Sequence, residues 1–129
     1  MNQDLNLAGS VSTPAIQSDW QEGRLCMQGD SYPENSYELF GPVIGWVEAY
    51  LAQESRPLEL CLELVYLNTS SVKVMMDIFD LLEEAYQEGR RVEVVWHYDA
   101  RNDRIAELAE EFKEDCSYPF AIRALEVST

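Results

Sequence analysis

At 129 residues, 47% of them hydrophobic and 26% charged, the chain has the size and make-up of one folded domain, able to bury about two-thirds of the surface it exposes when unfolded. Its 24 acidic residues against 9 basic ones give a formal net charge of -15, with Lys73 and Lys113 the only lysines, and such a surface repels nucleic-acid phosphates and anionic lipid. Three scattered cysteines (Cys26, Cys61, Cys116) without a CxxC, no signal-peptide pattern and no apolar run near the ~20 residues of a membrane span exclude a disulfide framework, a zinc site and membrane insertion, and point to the cytoplasm.

Residues 1–12 are polar and carry Gly and Ser, the composition of a flexible N-terminal tail, so the domain is expected over 13–129. Two short apolar segments near 14–18 and 24–28 flank Asp19-Trp20-Gln21-Glu22-Gly23, and predict a β-hairpin closed by Gly23. Pro33 and Glu34 suit a helix start. Leu39, Phe40, Val43, Ile44, Val47 and Tyr50 then recur at spacings of three and four, the buried stripe of an amphipathic helix. Gly41-Pro42 inside it predicts a kink or a split-off first turn, and Ser55-Arg56-Pro57 ends it.

From Leu58 the pattern switches to period two, with Leu58, Leu60, Leu62 and Leu64 against Glu59, Cys61 and Glu63, as in a strand with one buried face. Val72, Met75, Met76, Phe79, Leu82 and Tyr86 mark a second helix stopped at Gly89, with Met27, Met75 and Met76 read as core filler. Arg91 to Tyr98 is a further strand, and Asn102 and Asp103 cap a third helix packed through Ile105, Leu108 and Phe112. Phe120 to Val127 reads as the last strand. The order ββ-α-β-α-β-α-β specifies an α/β fold with a mixed sheet of about five strands, an N-terminal hairpin and three main helices, parallel in its later part.

Chemistry has few places to reside. His97 is the only histidine, so neither a Cys/His metal cluster nor a Ser-His-Asp set can be assembled, and a packing or surface role suits it better than a catalytic one. Glu107, Glu110, Glu111, Glu114 and Asp115 read as a solvated helix face, and no glycine-rich phosphate cradle occurs. No catalytic residue and no cofactor is expected. The feature that remains is Asn68-Thr69-Ser70-Ser71, at the junction of a strand with a helix on the sheet edge where partners and ligands are read. Three hydroxyls in a row exceed what capping one helix requires. A phosphate there would add about -1.5 to -2 charges, tolerated by the helix N-terminus but costly for any docked partner to desolvate.

Ser31-Tyr32-Pro33-Glu34-Asn35, Leu64-Val65-Tyr66-Leu67-Asn68-Thr69-Ser70-Ser71, and Val95-Trp96-His97-Tyr98-Asp99 followed by Asn102-Asp103 together resemble the SiaC family of bacterial regulators over about residues 13–123. The resemblance implies a single domain similar to the STAS domains of anti-sigma-factor antagonists. It implies a partner switch in which a threonine, matched here by Thr69, is phosphorylated by a dedicated serine/threonine kinase and freed by a PPM-type phosphatase. On that reading the unphosphorylated form binds and activates a diguanylate cyclase, raising cyclic di-GMP and favouring biofilm or aggregation. Ser70 and Ser71 are the nearest rivals of Thr69; Asn68, Ser70 and Ser71 shape the loop, and exposed residues of the following helix, Lys73 among them, complete the docking face. The alternatives are an anti-sigma-factor antagonist of the general STAS type and an enzyme with Thr69 or Ser70 as nucleophile and His97 as base. The strongly acidic surface favours a free monomer.

Overall fold

The first turn of the molecule is decided by Gly23. Its φ of +67° is open to glycine, and an added Cβ would run into the Pro57 carbonyl and the Tyr50 hydroxyl. In this computed structural model, which describes residues 4–125, the turn joins β2 (Ala15–Asp19) to β3 (Arg24–Ser31) as the expected hairpin. The later elements are α1 (Ser36–Gln53), β4 (Leu58–Leu67), α2 (Thr69–Gln87), β5 (Val92–Asp99), α3 (Asp103–Glu114) and β6 (Phe120–Leu125). The expected end of the last strand at Val127 falls outside the described residues.

Within the stretch expected as a tail, Asn6–Leu7 forms a sixth strand, β1, which pairs antiparallel with β2 and forms the sheet edge. Polar side chains, which composition counts as solvated, are what hold it. The Asp4 carboxylate accepts from the Trp20 backbone N–H at 2.9 Å, the Trp46 indole at 3.2 Å and the Ser18 hydroxyl at 3.2 Å. Farther along, the Ser12 carbonyl accepts from the N–H of Tyr32, just past the end of β3.

The six strands lie in chain order, β1-β2-β3-β4-β5-β6, antiparallel up to β3 and parallel from β3 onward. Parallel crossovers are right-handed, so three of them stepping in one direction set all three helices on one face. Leu25, Met27, Leu58, Leu60, Leu62, Leu64, Val92, Val94 and Trp96 fill that face. The other face carries no helix and shows rows such as Gln17, Cys26, Cys61 and Val95, aligned across β2 to β5.

Helix α1 is continuous through Gly41-Pro42, with no first turn split off there. Proline in a helix costs ~3 kcal/mol, through a lost N–H bond and a clash with the residues before it. Gly41 has no Cβ to meet the ring, and Phe40, Val43, Trp46, Val47 and Tyr50 are all buried. At ~1.5–3 kcal/mol each, that burial outweighs the penalty. Met27 and Met75 are core, as expected, whereas Met76 is 48% exposed, because it follows Met75 by one residue and so points off the buried stripe.

Candidate functional site

The carboxyl end of β4 is built around a bulge. Gly29 lies opposite Leu64 but Asp30 lies opposite Tyr66, so Val65 is an extra residue in the ladder. The slip changes the phase of the strand: Leu64 points inward, Val65 and Tyr66 are half-exposed, and Leu67 points inward again. The chain therefore arrives at Asn68 aimed to start α2. Asn68 caps that helix, its Oδ1 accepting from the N–H of Ser71 at 2.9 Å.

Since Asn68 provides the cap, the three hydroxyls after it are free for other work, and they divide. The Ser71 hydroxyl, fully buried, bonds the Ser31 hydroxyl at 2.8 Å and the Ser36 hydroxyl at 3.3 Å. The half-buried Ser70 bonds the Ser36 hydroxyl at 2.6 Å and donates to Asn68 Oδ1 at 3.2 Å. The Asn68 N–H donates to the Ser31 carbonyl at 2.9 Å. These bonds lace the end of β3 and the starts of α1 and α2 into one corner. Thr69, the first residue of α2, is exposed and takes no part in the network.

The surroundings of Thr69 combine a vacancy for negative charge with an apolar rim. Helices α1 and α3 each carry an acid in the first turn, Glu38 and Asp103, but α2 carries none of its own to offset the positive end of its dipole. Lys73, exposed one turn on, shares the helix face of Thr69. Of the eight large hydrophobic residues that are exposed among those described, Tyr32 just past β3, Tyr37 in the first turn of α1, and Val65 and Tyr66 near the end of β4 lie at this corner, with Met76 two turns along α2 from Thr69. The Tyr32 and Tyr66 rings pack edge-on with centroids 5.9 Å apart, and the Tyr37 hydroxyl donates to Asp77 at 3.4 Å. A cavity of about 750 Å³ opens instead at the far end of the strands between Pro57, Tyr86, Arg90, Arg91 and Pro119. The corner is a surface suited to a macromolecule rather than a pocket for a small one.

The structure does not bring His97 to the hydroxyls. It lies beside Gln28, Gly29 and Glu63 on the margin of a separate 200 Å³ cavity, and no hydrogen bond among the described residues joins it to Thr69 or Ser70. Asp99, at the end of β5, has its carboxyl pulled down to about 2 by hydrogen bonds from Arg101, an arrangement that fixes the turn into α3. The acids of α3 are exposed, as expected.

A profile of the SiaC family regulatory phosphoproteins matches residues 7–125. The chain belongs to the SiaC family. A protein of Pseudomonas aeruginosa strain UCBPP-PA14 is 73% identical over 121 residues, 94% of this chain and 96% of its own length. Among solved structures, apo-SiaC from Pseudomonas aeruginosa is 71% identical with a TM-score of 0.92, covering 95% of this chain and all of that one. The SiaC of a crystal structure in which the diguanylate cyclase SiaD is in complex with its activator SiaC, from the same organism, is 72% identical, again with a TM-score of 0.92 and with 95% of this chain and all of that one covered.

Within this SiaC-family chain, the sequence singled out Asn68, Thr69, Ser70, Ser71 and Lys73, and the structure gathers all five on the first turn and a half of α2. It did not single out Ser31 and Ser36 as partners of that loop, nor the rim residues Tyr32, Tyr37, Val65 and Tyr66. The available signal was Leu64-Val65-Tyr66-Leu67, where strict alternation of apolar and polar residues breaks at Val65, four residues before the hydroxyl run.

Proposed function

We propose that this protein is a phosphorylation-switched activator: unphosphorylated on Thr69, it binds and activates a diguanylate cyclase through the corner formed by β3, β4, α1 and α2, raising cyclic di-GMP and promoting biofilm or aggregate formation. The observation that carries the reading is the division of labour in the hydroxyl run. Ser71 is buried and Ser70 is engaged with Ser36 and Asn68, while the exposed Thr69 alone offers its hydroxyl to a kinase. The complex of SiaC with SiaD supports the choice of partner.

The mechanism follows from the site. Phosphate on Thr69 meets the unneutralised N-terminus of α2 and sits one turn from Lys73, so the fold accepts it. A partner seated on the rim would have to strip water from a dianion that has no buried counter-charge, costing ~2–5 kcal/mol, or at least ~30-fold in affinity. A serine/threonine kinase and a PPM-type phosphatase set the state of Thr69. The protein works in the cytoplasm, as a monomer when free and without catalytic activity of its own.

The test measures cyclase activation and binding by the wild type, Thr69→Ala and Thr69→Glu. The wild type and Thr69→Ala bind and activate alike, and Thr69→Glu does neither. Equal binding by both variants would remove Thr69 from the mechanism, and recovery of an anti-sigma factor in place of a cyclase from native lysate would replace the partner.

A further inference from the structure

Cys26 and Cys61 are 35 positions apart in the chain, yet they are directly opposite one another on neighbouring parallel strands, on the sheet face that bears no helix. Both are half-buried and neither is in a disulfide. Burial, together with the neighbouring Cys61, pushes the Cys26 thiol up to about 11. The flanking residues of the same row, Gln17 and Val95, offer no third sulfur. Arg24 stands close enough to interact with both thiols.

Spacing decides what such a pair can hold. Side chains at paired positions of neighbouring strands stand roughly parallel, so their Cβ atoms keep close to the strand separation of ~4.8 Å. A disulfide needs Cβ atoms ~3.8 Å apart and would have to draw the two strands together. Two metal–thiolate bonds of ~2.3 Å placed end to end span ~4.6 Å, which matches the strands as they are. A soft ion content with two thiolates in line fits that gap, whereas hard cations need oxygen ligands and zinc needs four partners.

We propose that Cys26 and Cys61 form a two-coordinate site for a soft monovalent d¹⁰ ion such as Cu(I) or Ag(I). Binding exchanges the two thiol protons for one metal ion, giving a bis-thiolate of one net negative charge and releasing two protons. Arg24, itself paired with Glu59 at 3.5 Å, places a positive charge beside both thiols in an acidic chain.

The reduced full chain is titrated anaerobically with Cu(I) against a chromogenic competing chelator, with native mass spectrometry for stoichiometry. The wild type and Cys116→Ser take up one ion per chain, whereas Cys26→Ser and Cys61→Ser each bind at least tenfold more weakly with unchanged circular dichroism. Independently of any variant, bound Cu(I) shields Cys26 and Cys61 from alkylation by iodoacetamide and leaves Cys116 labelled. Wild-type affinity in either Cys26→Ser or Cys61→Ser, or alkylation of both thiols in the loaded protein, overturns the assignment.

Discussion

Replacing Ser71 by Ala separates the architecture of the corner from its switch. The Ser71 hydroxyl is fully buried and bonds the Ser31 and Ser36 hydroxyls. Its removal leaves Ser36 bonded to Ser70 but takes from the buried Ser31 hydroxyl its one hydrogen-bonded partner among the described residues. A net bond is worth ~1 kcal/mol and an orphaned buried hydroxyl costs ~1–3 kcal/mol, while alanine returns ~0.5 kcal/mol of helix propensity. The expected loss is therefore about 2 kcal/mol, or roughly 8 °C in Tm for a domain of this size. Thr69→Ala, at an exposed position with no such bonds, is expected to lie within ~0.5 kcal/mol of the wild type. Urea unfolding followed by tryptophan fluorescence measures both. The double variant Ser31→Ala/Ser71→Ala should cost less than the sum of the two single ones, because removing both partners leaves no orphan. A Ser71→Ala protein as stable as the wild type, or a Thr69→Ala protein equally weakened, would refute the assignment of one hydroxyl to structure and the other to signalling.

Gly23→Ala is expected to destabilise by more than ~2 kcal/mol, since it combines a left-handed backbone with a collision against the Pro57 carbonyl and the Tyr50 hydroxyl; a urea midpoint within experimental scatter of the wild type would contradict the turn. In alkali, stability should fall as pH rises from the ordinary cysteine value of 9.0 through the value of about 11 reached by Cys26, because the folded state keeps a proton that the unfolded chain releases. Burial pushes the Tyr118 phenol up as well and adds a decline of the same sign, so Cys26→Ser should show a shallower but not abolished loss across this range; identical slopes would refute the Cys26 contribution.

Elements with strong periodicity were legible. The alternation of Leu58 to Leu64, the stripe from Phe40 to Tyr50 and the stop at Gly89 all became the expected elements, because burial of one face and the backbone freedom of glycine are local properties of the chain. What escaped depends on partners distant in sequence. Asp4 holds β1 through Ser18, Trp20 and Trp46, and no window of composition contains that set. The burial of Ser71 and the engagement of Ser70 were equally hidden, since they rest on Ser31 and Ser36, more than thirty residues upstream. The pairing of Cys26 with Cys61 is set by sheet register, and their separation in the chain conceals it.

Because the strands lie in chain order, every partner of the hydroxyl network precedes Ser71. A chain leaving the ribosome has the whole corner in hand, Ser31 through Ser71, before β5, α3 or β6 has been synthesised. Each later strand then adds to an existing edge without threading between earlier ones. Thr69, the proposed acceptor, is thus presented early in biogenesis, and the last third of the chain completes the core behind it without contributing a hydrogen bond to the network.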